Sequence, residues 1–507
     1  MSKIFFNKLI AGVLLMGATV SCTGNFEDLN TNPDDTNSAP PSMFATQVIL
    51  GMTKFSGRDA MAYMEGQMDV KLIGSRYNTA SQYNEVRRGW MGFTALPTID
   101  NMLKYAESSN NAQIESYRAL AKYARASMFW ASTTIFGDIP YSEAGQALTG
   151  NITPKYDTQK NVALGILKEL EEAEALFAKG INFDGDPTPL GGNAEKWRKV
   201  VNATRLNVLM CLSKKESDTD LNIKKRFQDI VSAGNLLDEA TYLGLVYNAT
   251  QMHPLYGAEN LYYTYMVQSA LVVDYLKQTG DYRLFYFADP APARIAEGLG
   301  EGDMEAYVGC DVSMDNAQLM KEIDEKKYSP INLRYYKEKD SEPRRVYSYA
   351  MQELTIAEAI VRGWISGDAK VRYENAVKAA LKSYMNTAAS YAHGKPITQA
   401  YIDGYFSNPA AAFAATSSEQ LKQIIMQKYL LGYMQPQNST LEYRRTKLPD
   451  FPINPDTNRN PGRGGGFPMR NQYPDSEYTY NLTNLTEALN RQWNGDDDQN
   501  NLMWILQ

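Results

Sequence analysis

Apolar residues recur at three- and four-residue steps through much of the chain from residue 43 onward, with charged residues between them. In the segment 158–178 the side chains of Ile166, Leu170 and Phe177 share one face, whereas Lys168 lies on the other. This spacing is typical of amphipathic α-helices. The same criterion predicts helices at 43–53, 59–73, 90–108, 111–135, 158–178, 194–214, 346–366, 370–391 and 417–431.

Two of these helices, 346–366 and 370–391, are separated only by a Gly-Asp pair. Small residues such as Ala357 on the first helix, followed by Tyr373-Glu374 early in the second, are typical of a tetratricopeptide hairpin. Further hairpins are predicted at about 90–135 and 158–214, with long insertions between them. We therefore predict a mostly α fold of tetratricopeptide-like helical hairpins, without the fixed period of a uniform solenoid.

The helical periodicity is lost in two parts of the chain. Residues 241–345 are rich in tyrosine, glycine and proline, which predicts loops, short strands and short helices, and residues 436–507 are likewise predicted to be loop-rich. The body would then consist of a helical scaffold, 43–240 and 346–435, carrying these two segments as a ligand or partner region. Irregular segments on a rigid frame are where binding residues concentrate.

The N-terminus has the pattern of an export signal. A lysine-containing head precedes an apolar run at 9–20, which is too short to cross a bilayer, and small residues and Cys22 follow. A cysteine at the cleavage point predicts a bacterial lipoprotein in which residues 1–21 are removed and Cys22 is acylated. The lipobox prefers leucine where this chain has Thr19, so an ordinary signal peptide is the alternative. The polar segment 22–42 would tether the body to the membrane.

Composition excludes several classes of function. Apolar residues make up 44% and charged residues 21%, as in a globular protein, and the net charge of −7 disfavours binding to nucleic-acid phosphates. The chain has 34 tyrosines but only two histidines, the commonest general bases and metal ligands.

Neither histidine lies in a catalytic motif. His253 is read as a packed loop residue, and His393 as a ring placed at the end of a helix, where positive charge is favoured. Cys211 is read as a small buried apolar residue, and one bridge to Cys310 is compatible with export.

No cluster of metal-ligand spacing is present in the sequence. Asp184-Gly185-Asp186 begins like a calcium loop but lacks the ligands that should follow, and Asp496-Asp497-Asp498 reads as a solvated acidic run. No catalytic residues, metal site or cofactor are predicted.

Polar-aromatic loops provide the candidate binding residues. A sugar presents apolar C–H faces, which suit tyrosine rings, and hydroxyl groups, which suit amide and charged side chains. Two segments combine these residue types, and their candidate ligand-binding residues are Tyr77, Asn78, Gln82 and Tyr83, and Tyr256, Asn260, Tyr262 and Tyr263. The prediction concerns each cluster as a whole, because for any one tyrosine a structural role in packing is favoured.

Four motifs in order resemble the SusD/RagB family of Bacteroidetes lipoproteins. They are FEDLNTNP at 26–33, FGDIPY at 136–141, LEYRRT at 441–446 and RNQYPDSE at 470–477. The resemblance spans nearly the whole chain and is strongest to the SusD-like branch. It implies a right-handed superhelical tetratricopeptide-like scaffold in which the motifs at 136–141 and 441–446 are structural.

The resemblance also implies a function. SusD-like proteins are lipid-anchored on the outer membrane, exposed at the cell surface, and deliver nutrients to a TonB-dependent SusC-like barrel without catalysis. The ligand implied is an oligosaccharide, with a peptide as the alternative. Two other classes remain open from the residues alone: a tetratricopeptide-type scaffold that binds only protein, and a glycosidase that uses a pair of carboxylates.

Overall fold

The computed structural model describes residues 39–55, 59–77, 89, 93–435, 439–460 and 466–507. Four residues singled out in the sequence, Cys22, Asn78, Gln82 and Tyr83, lie outside the described residues.

Long helices frame the first half of the described structure. They are α1 (Pro41–Thr53), α2 (Ala60–Asp69), α3 (Leu96–Ser108), α4 (Ile114–Phe136), α5 (Gln159–Phe177), α6 (Ala194–Cys211) and α7 (Ile223–Ala233). Capping side chains begin three of them: Asp59 accepts from Ala62 N, Thr158 from Asn161 N, and Asn193 from Lys196 N. Helix α4 packs along α5, α5 packs against α6, and α1 packs against α3.

The middle of the chain consists of short elements, as predicted. Its helices are α8 (Glu259–Tyr262), α9 (Ala270–Thr279), α10 (Leu284–Phe287), α11 (Pro292–Ala296), α12 (Asn316–Asp324) and α13 (Arg334–Lys337). The described strands are β1 (Ile73–Ser75), β2 (Ile139–Pro140), β3 (Tyr156–Asp157), β4 (Leu243–Leu245), β5 (Met266–Gln268) and β6 (Arg344–Tyr347). They pair antiparallel as β1–β5, β2–β3 and β4–β6.

Helices resume after β6 and continue to the end of the chain. They are α14 (Tyr349–Val361), α15 (Ala369–Lys382), α16 (Gln399–Gly404), α17 (Ser417–Leu431), α18 (Ser439–Thr446), α19 (Asp475–Tyr480) and α20 (Leu482–Trp493). Helix α14 packs against α15 and α17. The last three helices were not predicted individually, and they lie within the segment 436–507 that was predicted to be loop-rich. They were missed because the apolar stripe of α20 has few members, chiefly Leu485, Ala488 and Leu489.

Two large hydrophobic clusters form the core of the described residues. The first joins α1 and α3–α7 to the C-terminal segment, and fully buried Trp197 stands at its centre between Tyr123 and Phe177. The second joins α2 and the middle segment to α14–α17. Many tyrosines are fully buried, including Tyr286, so packing accounts for part of their abundance. No helix of the described chain is both long enough and apolar enough to span a bilayer.

The motifs at 136–141 and 470–477 meet in one buried network. Tyr473 donates its hydroxyl to Asp138 O at 2.7 Å, and fully buried Arg470 pairs with Asp497 at 2.5 Å. Asp497 also accepts from Tyr473 N at 3.0 Å. The acidic run at 496–498 is therefore not simply solvated as predicted, because Asp497 neutralises a buried guanidinium.

The motif at 441–446 supplies Arg445 to a second buried network. Glu358 on α14 accepts from Arg445 Nη1 at 2.6 Å and from Lys428 Nζ at 2.7 Å, and Arg445 also pairs with Glu442 at 2.5 Å. These contacts join α14, α17 and α18, so the motif residues hold helices together.

Candidate functional site

The pairing of β1 with β5 brings the two predicted binding segments together. Ser75 lies opposite Met266, and the backbone continues with Arg76 N donating to Tyr265 O at 2.9 Å. The chain therefore leaves β1 at Tyr77 beside the tyrosine-rich segment that precedes β5. Segments far apart in the sequence are placed side by side by these strands.

Arg76, Tyr77 and Tyr265 form the centre of what we call the tyrosine cluster. The rings of Tyr77 and Tyr265 meet edge to face, with centroids 5.0 Å apart. The Arg76 guanidinium lies 4.9 Å from the Tyr77 centroid and 5.5 Å from the Tyr265 centroid. It donates to the Tyr77 hydroxyl and to Asp324 on α12, each at 2.6 Å. These contacts fix the orientation of Tyr77 although its side chain is exposed.

The cluster combines apolar faces with a guanidinium whose side chain is 22% exposed. Tyr77 is 57% exposed. The Nε of Arg76 is buried and has no hydrogen-bond acceptor among the described residues. An aromatic surface beside a guanidinium can pack on the C–H face of a sugar and donate to its hydroxyl groups. Preorganisation by Asp324 and Tyr265 lowers the entropy lost when a ligand binds.

The second predicted segment borders the cluster through α8. Tyr256 and Asn260 are exposed, whereas Tyr262 and Tyr263 are half-buried. Tyr265 N donates to Tyr262 O at 3.0 Å, which connects α8 directly to the cluster. The Tyr263 hydroxyl donates to Asp289 at 2.6 Å, so its proton is not available to a ligand. Burial, and secondarily the charge of Asp289, raises the pKa of Tyr263.

His393 lies between the carboxylates of Asp289 and Glu301, and Asp289 is also the acceptor for the Tyr263 hydroxyl. His393 Nε2 is 2.9 Å from Asp289 Oδ1, and its Nδ1 is 3.1 Å from Glu301 Oε2. Burial opposes protonation of the ring, but hydrogen bonds to both carboxylates outweigh it and raise the pKa of His393. His393 follows the end of a short 3₁₀ helix, Ala389–Tyr391, as expected of its position, but it is the two carboxylates that raise its pKa.

The other candidate chemical groups are structural. His253 lies among Tyr63, Tyr247 and Tyr335, and burial lowers the pKa of His253 to about 3, so the ring is neutral. Packing was the predicted role for this residue, and it is confirmed.

Both cysteines of the body are buried and unpaired. Cys211 is a small core residue as predicted, and the bridge to Cys310 is not formed. In the loop that begins like a calcium site, Asp186 accepts from Trp197 Nε1 and Gly192 N, each at 2.8 Å. Within the described ranges, no group of three or more His, Cys, Asp or Glu is arranged to hold a metal ion.

The structure adds three residues that the sequence analysis did not select: Arg76, Tyr265 and Asp324. Arg76 is adjacent to Tyr77, so a criterion that included charged neighbours of tyrosine would have found it. Tyr265 follows two selected tyrosines in the same run. Asp324 gave no signal, because only the tertiary fold places α12 beside Arg76.

Comparison with known proteins identifies the family. Residues 33–474 match the SusD-like family, which is described as starch-binding and associating with the outer membrane. The chain belongs to the SusD-like family. Its hairpins are the tetratricopeptide-like repeats of the SusD-like fold, and the resemblance noted in the sequence is confirmed.

Solved structures of related proteins support this assignment. A SusD homologue of Bacteroides fragilis is 37% identical and matches with a TM-score of 0.88, covering 92% of this chain and 100% of its own. An outer membrane protein of Bacteroides vulgatus, with a suggested role in nutrient binding, is 31% identical with a TM-score of 0.83 and coverages of 92% and 100%. A chitin-binding protein is 25% identical with a TM-score of 0.71 and coverages of 92% and 99%. No curated protein matches this SusD-like chain.

Proposed function

We propose that this SusD-like protein captures an oligosaccharide at the tyrosine cluster and passes it, chemically unchanged, to a TonB-dependent SusC-like barrel. The observation that carries the proposal is the placement of Arg76, Tyr77 and Tyr265 by the β1–β5 pairing. The exposed Tyr77 ring would pack on a sugar face, and the Arg76 guanidinium, on a side chain that is 22% exposed, would donate to a hydroxyl group. Asn78, Gln82 and Tyr83 continue the same segment and are proposed as further contacts.

Binding to a glycan panel tests the capture step. Because relatives are described as starch-binding or chitin-binding, the panel should contain malto- and chito-oligosaccharides. Isothermal titration of the purified protein should detect at least one ligand. Tyr77→Ala should weaken that ligand about tenfold, since loss of one aromatic contact removes about 1.4 kcal/mol. Tyr480→Ala is the matched control, because Tyr480 is exposed on α19 and belongs to neither binding segment.

The same titration separates the remaining classes of function. Release of shorter sugars during the titration would indicate a glycosidase and refute passive capture. Peptide is the alternative ligand, because a guanidinium also pairs with carboxylates. If the protein binds peptides but no glycan, and Arg76→Ala loses that binding, the ligand is a peptide rather than an oligosaccharide.

The partner proposal concerns exposed apolar side chains on the segment before β3 and on α19. Leu148 and Ile152 are 99% and 76% exposed, and Tyr480 is 76% exposed. Hydrogen bonds from Asn481 to Pro154 O and from Asn484 to Thr153 O hold their two segments together. Apolar side chains exposed together mark interaction surfaces, and we propose this one as a contact for the barrel.

Copurification tests the partner. The double variant Leu148→Asp and Ile152→Asp should recover less barrel protein with the SusD-like chain, whereas Ile181→Asp, at a position 54% exposed, should not. Equal recovery in both would reject this contact surface.

Lipid attachment at Cys22, with 22–42 as a tether, would hold the protein at the outer membrane and expose it at the cell surface. Incorporation of labelled palmitate into the wild type but not into Cys22→Ala tests the anchor. A wild-type chain that takes up no label would reject it.

A further inference from the structure

A second cavity, separate from the tyrosine cluster, lies between the end of α9 and helix α16. Its volume is about 770 Å³, within the range of roughly 300–1,000 Å³ typical of small-molecule sites. Tyr282, Tyr401 and Phe285 provide its aromatic lining, and Lys395 and Asp303 provide charged groups. None of the residues that form the tyrosine cluster lines it.

The aromatic wall of this cavity is rigid. Tyr282 and Tyr401 stack with centroids 4.0 Å apart and an angle of 14° between their planes. The Tyr401 hydroxyl accepts from Tyr282 N and donates to Gly280 O, each at 2.8 Å. Beneath them, the buried Tyr405 hydroxyl donates to Asp281, which pairs with Arg283. The wall is thus formed before any ligand arrives.

Two hydrogen-bond donors of the cavity, Lys395 Nζ and the Tyr282 hydroxyl, have no carboxylate or hydrogen-bond partner among the described residues. Lys395 Nζ lies 5.9 Å from the Tyr282 centroid, and within the described chain it forms no ion pair with a carboxylate. The Tyr282 hydroxyl likewise has no partner among the residues the structure describes. Asp303 uses one carboxylate oxygen to accept from Glu305 N, and it is exposed.

From this lining we propose that the cavity is a second saccharide site that takes a neutral sugar ring. Flat aromatic faces suit the C–H faces of the ring, while Lys395 and Tyr282 can donate to hydroxyl groups and Asp303 can accept from them. An anionic ligand would be attracted by Lys395 but repelled by Asp303, and a cationic ligand the reverse. A neutral polyhydroxylated ring can hydrogen-bond to both residues. This cavity and the tyrosine cluster are separate sites, and they share only the proposed class of ligand, a saccharide.

The methyl signal of Met304, which lines the cavity, gives a direct readout. The full protein is labelled with [methyl-¹³C]methionine, and the Met304 signal is assigned by its loss in Met304→Leu. Glucose, galactose, mannose, xylose and N-acetylglucosamine are added up to tens of millimolar, since a single sugar ring is expected to bind with a Kd of about 1 mM or weaker. At least one should shift the Met304 signal saturably.

Variants separate this site from the tyrosine cluster. Ala400→Trp fills the cavity from the exposed side of α16 and should abolish the Met304 shift, and Lys395→Gln should weaken it several-fold. The matched control Val371→Trp, on exposed α15 surface, should leave it unchanged. Tyr77→Ala should also leave it unchanged, even if oligosaccharide capture is lost.

Three results would overturn the proposal. The first is that none of the five sugars shifts the Met304 signal. The second is a shift that persists in Ala400→Trp. The third is a response to glucuronate with none to the neutral sugars.

Discussion

Replacing Glu358 by alanine removes the centre of a buried ion network. Glu358 is fully buried and accepts from Arg445, Lys428 and Arg362 at 2.6–2.8 Å. Its loss leaves Lys428 and Arg445, each 1% exposed, with Glu442 as their one remaining carboxylate partner among the described residues, at 3.8 Å and 2.5 Å respectively. Breaking a buried pair in this way costs about 3–5 kcal/mol, because a desolvated charge loses its partner.

Urea unfolding followed by far-UV circular dichroism measures this loss. The matched control is Glu172→Ala, which removes the same atoms from a carboxylate that is 38% exposed and pairs with Lys122 at 2.8 Å. An exposed pair contributes at most about 1 kcal/mol, so the control should shift the midpoint slightly and Glu358→Ala strongly. Equal shifts in the two variants would refute the electrostatic reasoning.

The pH dependence has a defined sign. Burial alone would raise the pKa of Glu358, but Arg445 and Lys428 outweigh it and hold that pKa well below its usual range. A depressed pKa in the folded state means that the carboxylate's contribution is complete above the unfolded pKa and is lost as pH falls through the folded value. The stability difference between wild type and Glu358→Ala should therefore stay constant down to about pH 4 and shrink only below it.

Three further outcomes are expected. In proton NMR of untagged protein, the two histidine signals should separate: His393 should titrate above its ordinary pKa of about 6.5, and His253 should stay neutral until about pH 3; coincident titration would contradict both environments. Neither Cys211 nor Cys310 should react with a thiol reagent until urea is added, because burial raises both thiol pKa values and blocks access; fast reaction in native protein would contradict this. Trp197→Ala should lower the free energy of unfolding by about 3–5 kcal/mol in urea titrations; a loss below about 1 kcal/mol would contradict its central packing.

Long periodic helices could be predicted from sequence because their signals are local. Helix α17 begins and ends at the predicted residues, with Thr416 as its N-cap and Glu419 three residues later. The tail helices lack such a signal. Helix α20 starts at Leu482, and its N-cap residue Asn481 makes no side-chain cap hydrogen bond, so the helix depends on tertiary packing.

The candidate site could be predicted only in part. Tyrosine-rich segments are visible in the sequence, but strands of three residues carry too little pattern to predict that Ser75 pairs with Met266. Without that register, the contact of Tyr77 with Tyr265 could not be anticipated. The hydrogen bond from the Tyr263 hydroxyl to Asp289 could not be anticipated either, because only the tertiary fold places these two residues together.

A crystal structure of the protein with the best oligosaccharide from the panel tests the central claim most directly. The account predicts an intact sugar chain with one ring packed on Tyr77 or Tyr265 and a hydroxyl oxygen within hydrogen-bond distance of the Arg76 guanidinium. Oligosaccharide bound only away from these residues, or present as cleaved fragments, would contradict it.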